Sequence, residues 1–266
     1  MSNYLILVVM LFIGVCEKPT NSDLKTNNAP TKVLQNDTVP LEVSILMKNY
    51  SDIIEYKNGK LIFANGSTLL FNDLKQKSIE ELLKKPDVQD MFAWKYNTTS
   101  DGPINKEDAG RIRNEDFFKT IYGSTEYNVR NNLKSFVWCP KLVNQTILFN
   151  TKNGAYEALK KVSDELDNHP EWKKYITDIG GTFNWRKISG TDRLSAHAYG
   201  ITIDINTKFS NYWQWDCGCK DENVGLGYKN KIPVELVRIF EKNGFIWGGK
   251  WYHYDTMHFE YRPELF

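Results

Sequence analysis

The chain has 266 residues and a formal net charge of +1. The charge therefore gives no electrostatic reason to expect a nucleic acid or an anionic membrane surface as a partner. Apolar residues make up 41% of the chain and aromatic residues 14%, enough for a substantial core in one large domain or two small ones. We predict a globular protein without a nucleic-acid partner, and the composition implies no protein partner.

The N-terminal segment has the pattern of an export signal. Residues 4–15 are almost wholly apolar and stand directly before Cys16. Such a run is too short to span a bilayer as a helix but suits the core of a signal peptide. Ile13-Gly14-Val15-Cys16 resembles a bacterial lipoprotein box, so we predict a signal peptide of lipoprotein type over 1–16. Export to a bacterial cell envelope follows, with membrane attachment through a lipid on Cys16, or an ordinary secretory signal cleaved nearby.

The composition of the chain changes near residue 41, from a polar segment to a globular domain. Residues 17–40 are rich in Asn, Thr, Lys and Pro without periodicity, which is typical of a flexible tether. We predict a single domain over 41–266. Within it, we expect a small N-terminal part, 41–92, to pack on a larger part, 108–266.

Turn and capping signals define the N-terminal part. Asn58-Gly59 and Asn65-Gly66 separate apolar runs and predict a β-meander over 53–71. Ser78 and Glu81 have the spacing of a capping box and predict a helix that Pro86 ends.

The larger part mixes helices and strands. In chain order we predict a helix over 114–122, strands over 135–139 and 145–149, amphipathic helices over 155–166 and 233–243, and strands over 245–247 and 258–261. These elements do not alternate in a regular βαβ rhythm, which favours an α+β fold with a small antiparallel sheet flanked by helices.

One stretch near the middle of the chain brings an imidazole and a carboxylate together. Residues 195–206 read Ser-Ala-His-Ala-Tyr-Gly-Ile-Thr-Ile-Asp-Ile-Asn, which places His197 and Asp204 seven positions apart. Gly200 and the β-branched run disfavour a helix here. The alternation after Gly200 predicts a strand with three isoleucines on one face and Asp204 on the other. We predict a loop carrying His197 that leads into a strand carrying Asp204.

A second block near the C-terminus offers another imidazole beside an acid. Asp255 stands three residues before His258, and Glu260 has the same strand parity as His258. Two His and one Asp, with a spare acid to take a proton from water, make up a catalytic zinc site. His253 is an equally good ligand on chemistry alone, whereas His169 precedes a proline in a polar turn and is interpreted as structural.

Three further cysteines allow one internal disulfide. In an exported protein we expect Cys139 to pair with Cys217 or Cys219. A Cys-Gly-Cys metal site is disfavoured because few other ligands stand nearby.

The motifs together resemble a known family. Ser-x-His-x-x-Gly-x-x-x-Asp, followed about fifty residues later by acid-x-x-His, resembles the zinc D,D-carboxypeptidases and L-alanyl-D-glutamate endopeptidases of peptidase family M15. Residues 183–186, 190–194 and 245–249 are also similar to its D-alanyl-D-alanine carboxypeptidase-like branch. The resemblance covers roughly 154–265 and implies a hedgehog/D,D-peptidase-like zinc fold, with 108–266 as the catalytic part.

The resemblance also implies roles for single residues. It places one zinc ion on His197, Asp204 and His258. It makes Asp255 the general base, where many relatives have Glu, with Glu260 in reserve. It gives Arg186 the task of stabilising the oxyanion, as a fixed guanidinium can. The candidates for substrate binding are Ser195, Arg193 and Trp251; Ser195 is equally a candidate for holding the loop of His197.

The implied substrates are peptidoglycan stem peptides. We expect a D-alanyl-D-alanine carboxypeptidase. An L-alanyl-D-glutamate endopeptidase and a non-catalytic, zinc-containing cell-wall binding module are the alternatives. A purely structural envelope lipoprotein is disfavoured by the clustered site.

Overall fold

The computed structural model describes residues 38–103, 106–219 and 227–266. The predicted signal peptide over 1–16, and the predicted tether up to residue 37, lie outside the described residues. Within the described ranges, no helix combines the length and the apolar character needed to cross a membrane.

Short helices and strands alternate irregularly along the chain. The helices are α1 (Leu41–Asn49), α2 (Ile79–Lys84), α3 (Glu115–Tyr122), α4 (Glu126–Arg130), α5 (Ala155–Leu166), α6 (Lys173–Ile176), α7 (Trp213–Cys217) and α8 (Val234–Glu241). The strands are β1 (Ile53–Lys57), β2 (Lys60–Phe63), β3 (Thr68–Leu70), β4 (Leu133–Trp138), β5 (Gln145–Asn150), β6 (Ile179–Gly181), β7 (Thr202–Asn206), β8 (Phe245–Trp247) and β9 (His258–Tyr261).

The described strands form three small antiparallel sheets. Their strand orders are β1-β2-β3, β4-β5 and β6-β7-β9-β8. Helix α8 packs on the third sheet, where Phe240 stacks on Phe259 of β9. The predicted α+β class with small antiparallel sheets and helices is confirmed.

The N-terminal signals form the elements that they predict. Asn58 and Gly59 both have positive φ, as a two-residue hairpin turn requires, and they join β1 to β2. Ser78 and Glu81 form a reciprocal capping box at the start of α2. Helix α1 was not among the predicted elements.

The N-terminal part and the larger part share one apolar core. The ring of Tyr50 packs edge-on against Phe117 of α3, and its hydroxyl donates to Glu264 Oε2 at 2.6 Å. Lys152 Nζ lies 2.6 Å from Asp52 Oδ1. Contacts with α3, with Lys152 and with Glu264 near the C-terminus therefore hold the N-terminal part in place.

Strand β7 lies inside the third sheet, between β6 and β9. Its Ile203 and Ile205, and Ile201 just before it, are fully buried, as the alternating pattern predicts. Thr202 and Asn206 on the opposite face are buried as well. The face that carries Asp204 is therefore largely enclosed.

The predicted disulfide pairing is wrong. Cys217 and Cys219 are bonded to each other, with Gly218 between them in a left-handed conformation. That turn brings their Cα atoms to 5.1 Å, within the range of a disulfide. Cys139 is free and fully buried after β4, and burial raises the pKa of its thiol to about 12. Cys139 is therefore a core residue with an unreactive thiol.

Candidate metal centre and active site

Three side chains that can bind a metal converge at the edge where β7 and β9 meet the turn of His197. Asp204 in β7 stands opposite His258 in β9 in the antiparallel register. Asp204 Oδ2 lies 3.1 Å from His197 Nε2, and Asp204 Oδ1 lies 3.0 Å from His258 Nδ1. One ligand atom from each side chain falls within 4.8 Å of the others. The predicted ligand set is thus brought together in space.

The turn over residues 196–199 orients His197. It is a short 3₁₀ helix, and the Ser195 hydroxyl caps it by accepting from the His197 backbone N–H at 3.4 Å. The Thr182 carbonyl, which can only accept, lies 2.7 Å from His197 Nδ1. His197 Nδ1 therefore carries a proton, which leaves Nε2, on the side of Asp204, as the nitrogen that can bind a metal.

Gly200 joins this turn to β7 through a conformation that favours glycine. Its φ is +67°, and an added Cβ would lie 2.6 Å from the Leu133 side chain. The glycine of the motif therefore serves the geometry that places His197 beside the strand of Asp204.

His258 faces Asp204 with its Nδ1 and Glu260 with its Nε2. The Nε2 lies 3.4 Å from Glu260 Oε2. The Trp251 ring packs beside the imidazole, with the ring centroids 5.4 Å apart, and the Trp251 indole N–H donates to the Ala109 carbonyl at 2.6 Å. The two imidazoles therefore offer Nε2 of His197 and Nδ1 of His258.

This donor set fits a zinc ion. Zinc binds His nitrogen at about 2.0–2.1 Å and carboxylate oxygen at about 2.0–2.2 Å, so tetrahedral ligand atoms lie roughly 3–3.5 Å apart. Each imidazole lies near that distance from one oxygen of Asp204, and one ligand atom from each of the three side chains lies within 4.8 Å of the others. Two imidazoles and one carboxylate also leave a fourth position open, as in catalytic zinc sites.

The charges of the three side chains are strongly coupled. Burial alone would raise the pKa of Asp204, but the two imidazoles hold it well below its ordinary value. Burial alone would lower the pKa of His258, but the carboxylates of Asp204 and Glu260 raise it to about 10. The carboxylates around His258 therefore favour positive charge at this site.

Asp255 provides an acid whose protonation can change near neutral pH. Its backbone N–H donates to the Gly248 carbonyl at 2.9 Å. Its Oδ1 is buried and has no hydrogen-bond partner among the described residues. Burial and the negative charge of Asp204 raise the pKa of Asp255 to about 7. A carboxyl with such a pKa suits the transfer of a proton in either direction.

Glu260, the reserve candidate for the base, is already engaged. It is fully buried, with Oε2 3.4 Å from Arg113 Nη1 and Oε1 3.2 Å from Arg262 Nη1. Burial would raise the pKa of Glu260, but Arg113, His258 and Arg262 lower it to about 2. This arrangement favours Asp255 as the base.

The two candidate arginines occupy different surroundings. Arg186 is exposed, and its backbone carbonyl accepts from the Ser195 N–H at 3.0 Å, so its segment runs beside the turn of His197. The Arg193 guanidinium donates to the Arg111 carbonyl at 2.6 Å and is half-buried. The roles of Arg186 in the reaction and of Arg193 in substrate binding stay predictions.

The remaining two histidines lie elsewhere. His253 is buried, and its Nδ1 lies 2.7 Å from Asp108 Oδ2. His169 stacks on Trp172 with the ring centroids 4.2 Å apart. Sequence patterns did not find the Thr182 carbonyl that orients His197, nor the Asp108 partner of His253, because both come from distant, irregular segments.

Two imidazoles, a carboxylate between them and a further acid with a raised pKa form the arrangement of a metal-dependent hydrolase. Residues 189–261 match the family model described as D-alanyl-D-alanine carboxypeptidase. This match confirms the resemblance to peptidase family M15. The matched segment contains His197, Asp204, Asp255 and His258, whereas Arg186 stands just before it. No curated protein and no solved structure matches the chain.

The backbone beside Asp255 allows a test of its placement. A Cβ added at Gly248 would lie 2.6 Å from the Asp255 carbonyl oxygen, so Gly248→Ala must displace Asp255. A misplacement of about 1 Å costs up to roughly 10²-fold in rate. We expect Gly248→Ala to lower kcat by about 10- to 100-fold with zinc content unchanged. Gly227→Ala is the matched control, since a Cβ there meets no described residue within 4 Å. Equal rates in both variants would contradict this placement.

Proposed function

We propose that this protein is a zinc-dependent peptidase that removes the terminal D-alanine from peptidoglycan stem peptides. The observation that carries the proposal is the convergence of His197, Asp204 and His258 beside Asp255. All four lie within the segment that matches a D-alanyl-D-alanine carboxypeptidase family model. The clustered donors support the zinc ion, and the family match supports the substrate class.

The zinc ion and the side chains around it have different roles in the proposed reaction. When bound, zinc acts as a Lewis acid that polarises the amide carbonyl and activates water. Asp255 accepts the proton of the attacking water and passes it to the nitrogen of the departing D-alanine, so that the C–N bond breaks with proton balance. Burial, which disfavours the carboxylate and raises its pKa, supports the return of the proton. His197 and His258 stay fixed by their outer hydrogen bonds.

Two arginines and two further side chains complete the proposed site. Arg186 stabilises the negative charge that develops on the carbonyl oxygen. Arg193 binds the terminal carboxylate of the substrate, which a carboxypeptidase has to recognise. Trp251 lines the cleft beside His258. Ser195 supports the site by capping the turn of His197, a role that its contact favours.

Digestion of purified stem peptides tests this function. The expected products from a pentapeptide ending in D-alanyl-D-alanine are free D-alanine and the tetrapeptide, with no reaction after chelation. Cleavage between L-alanine and D-glutamate would assign the endopeptidase activity instead. Binding of the peptides without cleavage by the zinc-loaded protein would assign the binding module.

We further propose that the protein is attached to the outside of a bacterial membrane through a lipid on Cys16. The apolar run ending at Cys16 and the polar segment that follows support this location. Cys16→Ala should move the protein from the membrane fraction to the soluble envelope fraction, since the lipid is the proposed anchor. Unchanged fractionation would leave an ordinary secretory signal.

A further inference from the structure

We propose that Glu260 is a positioning residue that fixes the ring orientation and tautomer of His258, and that Arg113 and the fully buried Arg262 hold Glu260 in place for this purpose. The inference rests on the proposed function only in so far as His258 binds a metal. Glu260 in β9 then positions a metal ligand and does not act as the general base.

Strand geometry brings Glu260 and His258 to the same side of β9. Side chains two positions apart in a strand share a face, and Glu260 Oε2 lies 3.4 Å from His258 Nε2. The His258 Nδ1 on the other side of the ring faces Asp204. A carboxylate can only accept a hydrogen bond from Nε2, so it keeps the proton on Nε2 and leaves Nδ1 for the metal.

Both oxygens of Glu260 are engaged. Oε2 contacts Arg113 as well as His258, and Oε1 contacts Arg262. A general base needs an oxygen that can reach the attacking water. The contacts of Glu260 place it behind the ligand His258 rather than at the open position of the metal.

The arginine behind Glu260 is itself anchored. Arg262 is fully buried, donates to the Gly110 carbonyl at 2.9 Å and to Glu264 Oε1 at 2.5 Å, and stacks over the Phe118 ring. Glu264 in turn accepts from Tyr50. The Gly110 carbonyl and the Phe118 ring therefore anchor Arg262 independently of Glu264.

The two metal-binding histidines are therefore positioned by the same principle. A backbone carbonyl holds the proton on Nδ1 of His197, and Glu260 holds the proton on Nε2 of His258. Outer partners of this kind tune ligand basicity, and their removal costs about 10- to 100-fold in metal affinity.

Two matched substitutions test the proposal. Glu260→Gln and Glu264→Gln each remove one negative charge that faces Arg262 while keeping the size of the side chain. Glu260→Gln alone alters the partner of His258. Zinc dissociation constants, measured by competition with a chromogenic chelator, should rise about 10- to 100-fold in Glu260→Gln and stay near the wild-type value in Glu264→Gln.

The outcomes separate positioning from general support of the fold. Wild-type zinc affinity in Glu260→Gln, or an equal loss in both variants, would overturn the proposal. If Glu260→Gln does not fold, ¹⁵N NMR of the wild-type, zinc-loaded protein decides. The expected tautomer of His258 carries the proton on Nε2, and a proton on Nδ1 would overturn the assignment. Neither measurement needs a substrate, so failure of the proposed hydrolysis would leave this inference testable.

Discussion

Replacement of His197 by alanine is expected to remove bound zinc and peptidase activity together. The imidazole supplies one of three ligand atoms, and its Nε2 lies 3.1 Å from Asp204 Oδ2. The two remaining ligands are too few to hold a catalytic zinc ion, which uses three protein ligands. Elemental analysis of the dialysed protein should find about one zinc per chain in the wild type and close to none in His197→Ala, with hydrolysis at the background rate.

A matched histidine variant controls this measurement. His169 is partly exposed, stacks on Trp172 and pairs with Glu171, so His169→Ala should keep the full zinc content and the full rate. Full zinc in His197→Ala would show that the ligand assignment is wrong. His253 would then be the first histidine to test.

Replacement of Asp255 by asparagine is expected to abolish most of the rate while leaving the metal and the fold in place. Asparagine keeps the size of the side chain but cannot accept the proton. General-base catalysis contributes about 10²- to 10⁴-fold, which corresponds to roughly 3–5 kcal/mol of barrier at 1.36 kcal/mol per decade. Steady-state rates under saturating zinc, with zinc content and Tm measured alongside, would check this expectation.

Two further variants test whether Asp255 or Glu260 is the general base. Asp255→Glu should retain part of the activity, because the resemblance places Glu at this position in many relatives. Glu260→Gln should recover activity at saturating zinc, since its proposed defect lies in metal affinity. A wild-type rate in Asp255→Asn together with an inactive, zinc-saturated Glu260→Gln would identify Glu260 as the base.

The pH dependence of the rate follows from the raised pKa of Asp255. A protonated carboxyl cannot accept a proton, so the rate should rise with pH through this pKa. Burial and the charge of Asp204 raise the pKa to about 7, and a bound cation would bring it back down because positive charge favours the carboxylate. A kcat/KM profile should therefore show an acidic limb below pH 7. Asp255→Asn should lack that limb, and its persistence in the variant would assign the limb to another group.

Local patterns predicted the elements that carry the site. The alternation after Gly200 indicated β7, and the parity of Glu260 with His258 indicated a shared face on β9. The pairing of Asp204 with His258 across the ladder was not readable from the spacing, because register depends on contacts between strands distant in sequence. The ligand set came from the family resemblance and not from periodicity.

Helix α1, the cysteine pairing and a buried ion pair escaped prediction. Helix α1 begins after Pro40 with no side-chain cap, so its start carries no capping motif. Its buried Val43 and Leu46, followed by Tyr50, do keep helical spacing and could have indicated it. The cysteine pairing failed because Gly218 permits a tight turn that sequence composition does not reveal. The buried Arg262–Glu264 pair gave no pattern at all.

Zinc titration into chelated protein, followed by the release of D-alanine from a stem pentapeptide, measures whether the proposed reaction depends on one metal ion. We expect no release before zinc is added, and a rate that rises in proportion to zinc until about one ion is bound per chain. Full activity in the chelated protein would contradict it. So would a protein that binds one zinc at His197, Asp204 and His258 and cleaves no stem peptide.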